Sequence, residues 1–181
     1  METKRIVITG GPGSGKTSLI DAFKEEGHPI LPEISREVTK KAQEEGIAQL
    51  FLESPILFSE KLLEGRLQQF HQAKEYPPPF LFYDRGLPDV TAYMDYLGTD
   101  YPNKFTDTCT ENRYDAIFLL PPWEDIYQQD NERYESFQQA EIIFKYLHKG
   151  YQSFGYEVYH VPVGSIRYRC DFILQKLAKH F

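Results

Sequence analysis

Ile6-Val7-Ile8-Thr9-Gly10-Gly11-Pro12-Gly13-Ser14-Gly15-Lys16-Thr17 decides how the rest of the chain is read. An apolar, β-branched run passes straight into Gly-x-x-x-x-Gly-Lys-Thr, the P-loop pattern. The spacing has a mechanical origin. Glycines let the backbone curl until successive N–H groups face one centre, which suits phosphate oxygens. A helix expected over 16–26, from Leu19, Ile20 and Phe23, is stopped by Gly27 and turns its positive end toward the same anion. The nucleotide-binding candidates are therefore Gly10, Gly11, Pro12, Gly13, Ser14, Gly15, Lys16, Thr17 and Ser18. Lys16 would place charge on the β- and γ-phosphates, and the Thr17 hydroxyl would hold Mg²⁺.

The bulk composition narrows the setting. A chain of 181 residues suits one domain, 1–181, with a full core. Lys plus Arg number 20 against 27 Asp plus Glu, a formal charge of −7, which argues against non-specific nucleic-acid binding. An anionic substrate must then be held by local charge. Cys109 and Cys170 stand far apart with no His cluster near either, so a disulfide framework or cysteine metal site is not expected. No apolar run reaches membrane-spanning length, and Met1 leads almost directly into a strand. A cytoplasmic protein without a leader is the expectation.

Periodicity lays out the remaining elements. Short strands are expected at 5–9, 28–31, 80–83, 116–120 and 157–161. Helices are expected at 34–45, from Ser54-Pro55 to about Ala73, at 89–97, 105–113 and 138–154, and after Ser165. In the helix from 89, Val90, Tyr93, Met94 and Leu97 should face inward. The last should bury Ile166, Cys170, Ile173 and Leu177. Strands alternating with helices dictate an α/β fold: a five-stranded parallel sheet with helices on both faces, a P-loop NTPase with a short lid near 123–137. Ligands of such sheets sit beyond the carboxyl ends of the strands.

Candidate chemistry falls at those ends. Asp84 closes the run Phe80-Leu81-Phe82-Tyr83, the Walker B arrangement that supports Mg²⁺ beside Thr17. The next residue is Arg85, where water-activating ATPases place Glu; a planar guanidinium suits phosphate or substrate. Glu33 follows the second strand and could accept a hydroxyl proton, with Arg36 one turn on as a substrate contact. Arg133 is the only Arg or Lys from Tyr114 to Phe144, so a lid cation there must be Arg133. Val163-Gly164-Ser165 follows the fifth strand, on the side where related folds seat a base.

Pro-Glu-Ile-Ser-Arg-Glu-Val, Phe-Tyr-Asp-Arg-Gly-Leu-Pro-Asp, and Leu-Leu-Pro-Pro-Trp-Glu-Asp-Ile-Tyr with Arg-Tyr-Glu-Ser-Phe follow the P-loop in order. Together they resemble a family of small AAA-type ATPases similar to the nicotinamide riboside kinase domain of NadR. The resemblance spans nearly the whole chain and implies a kinase-like P-loop fold that uses ATP or GTP with Mg²⁺. It does not name an acceptor. On this reading Lys16, Glu33, Asp84 and Arg133 are catalytic, Arg36 and Arg85 bind substrate, Thr17 and Asp84 hold metal, and Glu33 or Asp84 is the base. The partners expected are a nucleotide and a small nucleoside- or riboside-like acceptor, with no nucleic acid or membrane. The alternative is an NTP-binding switch that hydrolyses slowly and acts through a protein partner. A motor ATPase fits worse, because Arg85 stands where a catalytic Glu is needed.

Overall fold

The computed structural model describes residues 2–127 and 135–181. The strands are β1 (Lys4–Gly10), β2 (Ile30–Leu31), β3 (Phe80–Asp84), β4 (Ala116–Leu120) and β5 (Val158–His160). They form one sheet in the order β2-β3-β1-β4-β5. Every pairing is parallel. β1 is therefore central, and the phosphate loop emerges from its carboxyl end between the ends of β3 and β4.

Alternation along the strands divides the core into two layers. Ile6, Ile8, Phe82 and Phe118 face α1 (Lys16–Glu25) and α8 (Ile166–His180), packing on Leu19, Phe23, Ile173 and Leu177. Val7, Leu81, Tyr83 and Ile117 face the opposite layer, whose helices include α4 (Pro55–His71) and α5 (Leu87–Leu97). α7 (Phe137–Ser153) lies against α5, close enough that a Cβ on Gly150 would stand 2.8 Å from the Ala92 Cβ. α2 (Ser35–Glu44), the single-turn α3 (Leu50–Glu53) and α6 (Lys104–Glu111) complete the α-helices among the described residues.

Several expectations need correction. α5 begins at Leu87 rather than residue 89, because Pro88 lies in the first turn, where its missing N–H costs nothing. The helix is opened by Gly86, whose N–H donates to the Asp89 carboxylate at 2.8 Å. Leu97, expected inward, is exposed at the last residue of α5, and Ile166 is exposed on the first turn of α8. In α8 the buried stripe starts instead at Arg169 and Cys170. Pro55 opens α4 as expected, but the Ser54 hydroxyl makes no capping bond; Ser165 does cap α8, accepting from the Tyr168 N–H at 3.2 Å. α3 was missed, because four residues carry too little periodicity to read. No described helix is long and apolar enough to cross a membrane. Cys109 and Cys170 are both free and buried.

Candidate active site

The loop after β1 takes the shape its glycines allow. Gly13 and Gly15 have φ of 70° and 75°, the left-handed region that side chains avoid, and Gly15 turns the chain into α1. The Trp123 N–H donates to the Gly13 carbonyl at 2.9 Å. The Tyr127 ring lies on Gly13, in the space a Cβ would need. A single-turn 3-10 helix, Glu124–Ile126, thus holds the residues after β4 against the phosphate loop. Thr17 and Ser18 are exposed at the start of α1.

Lys16 reaches back across the strand ends and donates to Asp84, the last residue of β3. Both side chains are nearly buried. Burial and the neighbouring Arg85 lower the Lys16 pKa, against the upward pull of Asp84 and Glu33.

Arg85 follows Asp84 with φ of 75°, the one described non-glycine residue in the left-handed region. Its N–H donates to the Ile8 carbonyl at 3.0 Å, which ties the turn to β1. Backbone strain of this kind persists where surrounding structure fixes it, and it clusters at functional turns. The conformation aims the Arg85 guanidinium at two acids. Nε meets Glu33 Oε2 at 2.5 Å, and Nη1 meets Asp89 Oδ1 at 3.4 Å. The guanidinium also lies 5.4 Å from the Tyr93 ring centroid.

Glu33 sits just past β2 and is anchored from several sides. Its Oε1 accepts from the N–H groups of Ile34 and Ser35 at 3.0 and 3.1 Å, and from Arg66 Nη2 at 3.1 Å. Burial pushes its pKa up. Arg66, Arg85 and Lys16 outweigh that and hold it at about 2. Arg36 lies exposed on the first turn of α2. Arg133 lies outside the described residues, as does the middle of the expected lid, 128–134.

Three side chains that the sequence reading passed over complete the arrangement. Arg66, 4% exposed on α4, bridges Glu33 and the Gly86 carbonyl, which accepts from Nη1 at 3.2 Å. Its signal was present: a cation breaking the apolar stripe between Leu62, Leu63 and Phe70. Asp89 is wholly buried and accepts from Thr9 Oγ1 at 2.5 Å, Tyr151 Oη at 2.6 Å and the Gly86 N–H. It joins the end of β1, the Arg85 turn and α7. Arg169 donates from Nη1 to the Ser14 carbonyl at 2.9 Å. No local pattern announces either role.

The arrangement brings Lys16, Asp84, Arg85 and Glu33 into one chain of charge at adjacent strand ends. Asp84 and Thr17 offer a carboxylate and a hydroxyl, the hard oxygen donors Mg²⁺ accepts alongside substrate phosphates. No described group of three or more His, Cys, Asp or Glu forms a self-sufficient metal cage.

A family model described as AAA domain matches residues 5–169. Among solved structures, deoxyadenosine kinase from M. mycoides, with products dCMP and a flexible dCDP bound, superposes with a TM-score of 0.69 at 18% identity. That match covers 97% of this chain and 99% of the other. NadR in complex with NR gives a TM-score of 0.75 at 17% identity, over 98% of this chain and 51% of NadR. The chain thus spans about half the length of NadR. At such identities these likenesses show a shared fold. No curated protein sequence matches significantly.

Proposed function

The chain belongs to this AAA-domain family, and from that premise and the strand-end geometry we propose that it is a small-molecule kinase. It would bind ATP or GTP on residues 10–18 and pass the γ-phosphoryl group to a hydroxyl of a nucleoside- or riboside-like acceptor. One observation carries the reading: the phosphate-loop lysine is bonded to the β3 aspartate, and beside it Arg85 is bonded to Glu33. Both cations are held by acids that a polyphosphate and an acceptor hydroxyl can replace. One structural neighbour, a deoxyadenosine kinase, points the same way.

Each residue has a distinct task. Lys16 leaves Asp84 for the β- and γ-phosphates, which the N–H groups of the loop would cradle. Thr17 and Asp84 would hold Mg²⁺, which supplies charge neutralisation on the phosphates when bound. Arg85 turns from Glu33 toward the transferring group while Asp89 keeps its other edge. Glu33, fully ionised, accepts the hydrogen bond of the acceptor hydroxyl and aims its oxygen at the γ-phosphorus. A carboxyl held near about 2 is a weak base, so its main work is orientation. The acceptor oxygen–phosphorus bond forms as the bond between the γ-phosphorus and the β–γ bridging oxygen breaks. The hydroxyl proton passes late to Glu33, after the departure of Arg85 has raised its basicity, and then to solvent. Catalysis on this account is positioning and charge, as phosphoryl transfer demands. Arg133, in the stretch 123–137, is proposed as the closing cation.

The test is NDP formation from ATP or GTP with Mg²⁺, measured with and without each member of a nucleoside and riboside panel. The reading expects strong stimulation by at least one acceptor. Slow turnover indifferent to the whole panel would overturn it in favour of a nucleotide-binding switch.

A further inference from the structure

Arg169 is 2% exposed and, among the described residues, has no carboxylate beside it. Its Nη1 holds the Ser14 carbonyl, and its Nε donates to the Pro162 carbonyl at 3.1 Å. Nη2 is buried without a hydrogen-bond partner among the described residues. A guanidinium taken out of water without an anion is costly, and neutral carbonyls return only part of that loss. Elsewhere in the site the buried arginines, Arg66 and Arg85, each have an acid. Arg169 does not.

Its neighbours indicate where the missing charge comes from. Ser14 and Gly15 belong to the phosphate loop, and a Cβ on Gly15 would stand 2.8 Å from Nη1. In a trans peptide the C=O and the following N–H point in opposite directions. By drawing the Ser14 carbonyl outward, Arg169 turns the Gly15 N–H the other way, toward the anion side of the loop. Its second bond reaches Pro162, in the turn between β5 and α8. One side chain, 155 residues from Ser14 in sequence, therefore clamps the phosphate loop to the neighbouring strand-end turn.

We propose that Arg169 is a nucleotide-positioning residue: its buried guanidinium fixes the phosphate loop in an anion-accepting form, and the polyphosphate of a bound nucleotide supplies its counter-charge. This deepens the kinase reading and rests on it only as far as nucleotide binding.

The experiment is calorimetric titration of ATP–Mg²⁺ and GTP–Mg²⁺ into the wild type, Arg169→Met and Arg169→Lys at two salt concentrations. Lysine keeps the charge but not the two-carbonyl fork; methionine keeps only the stem. Arg169→Met should weaken nucleotide binding about 10- to 100-fold, the loss expected of a charge-assisted hydrogen-bonding group. It should also flatten the salt dependence, whereas Arg169→Lys should keep that dependence and bind with intermediate affinity. Acceptor KM should stay unchanged in both. A folded Arg169→Met that binds nucleotide within about 3-fold of wild type, a difference under 1 kcal/mol, overturns this inference and leaves the kinase reading intact. A wild type that binds neither nucleotide defeats both. Should the methionine variant not fold, hydrogen exchange on the wild type decides: nucleotide must protect residues 161–169 as well as the phosphate loop, and an unprotected 161–169 refutes the clamp.

Discussion

Glu33 is the residue on which the electrostatics of the site turn. Its carboxyl falls from an ordinary 4.5 to about 2, because Arg66, Arg85 and Lys16 together overcome the upward push of burial. A folded-state pKa below the unfolded one stabilises the native chain above the unfolded pKa. That stabilisation is lost as pH falls toward the folded value. The window is therefore pH 4.5 down to 2, and the shift corresponds to on the order of 3 kcal/mol. Urea denaturation from pH 7 to pH 2.5 should show the wild type losing that much more stability than Glu33→Gln; parallel curves would show that Glu33 is not held by the three cations. Lys16→Ala should cut turnover on the order of 10²-fold or more, with the fold retained by circular dichroism, as for the loss of one preorganised charge contact. Unchanged turnover would mean that the phosphate site lies elsewhere. Arg85→Lys should lower kcat about 10- to 100-fold, since a point ammonium cannot face Glu33 and Asp89 at once.

At the scale of elements, the site depends on how α5 and α7 hold the turn after β3. Asp89 lies in the first turn of α5, and the Tyr151 hydroxyl of α7 donates to it inside the core. The helices approach closely at Gly150 and Ala92. A methyl group at position 150 must push them apart, so Gly150→Ala should destabilise the chain by about 1–3 kcal/mol in thermal or urea melts. Tyr151→Phe leaves one buried carboxylate oxygen a donor short and should cost about 1–3 kcal/mol. Legibility at this scale followed distance along the chain. The phosphate loop, the Asp84-Arg85 turn and Glu33 were readable because each is a short motif at a strand end. Arg66, Asp89 and Arg169 were not, because their partners lie tens to more than a hundred residues away. Arg66 alone left a trace, a cation in an apolar stripe. The early start of α5 was not legible from apolar periodicity alone, because Leu87 and Pro88 form its first turn under a Gly86 cap.

For the molecule as a whole, the five-stranded parallel sheet followed from the alternation of strand and helix, and the order β2-β3-β1-β4-β5 places the motif-bearing ends side by side. The family match over 5–169 and the superpositions on deoxyadenosine kinase and NadR agree with that architecture. Nucleotide should stabilise the entire fold by mass action. At 100 times its Kd the gain is about 2.7 kcal/mol, or about 5–10 °C in Tm for a chain of this size, and Lys16→Ala should lose most of the shift. The identity of the product goes deepest. Phosphorus NMR of the wild type with ATP or GTP, Mg²⁺ and the stimulating acceptor should show a phosphate-ester resonance growing in step with NDP. Inorganic phosphate as the sole new species, formed at the same rate without acceptor, would contradict transfer to a hydroxyl.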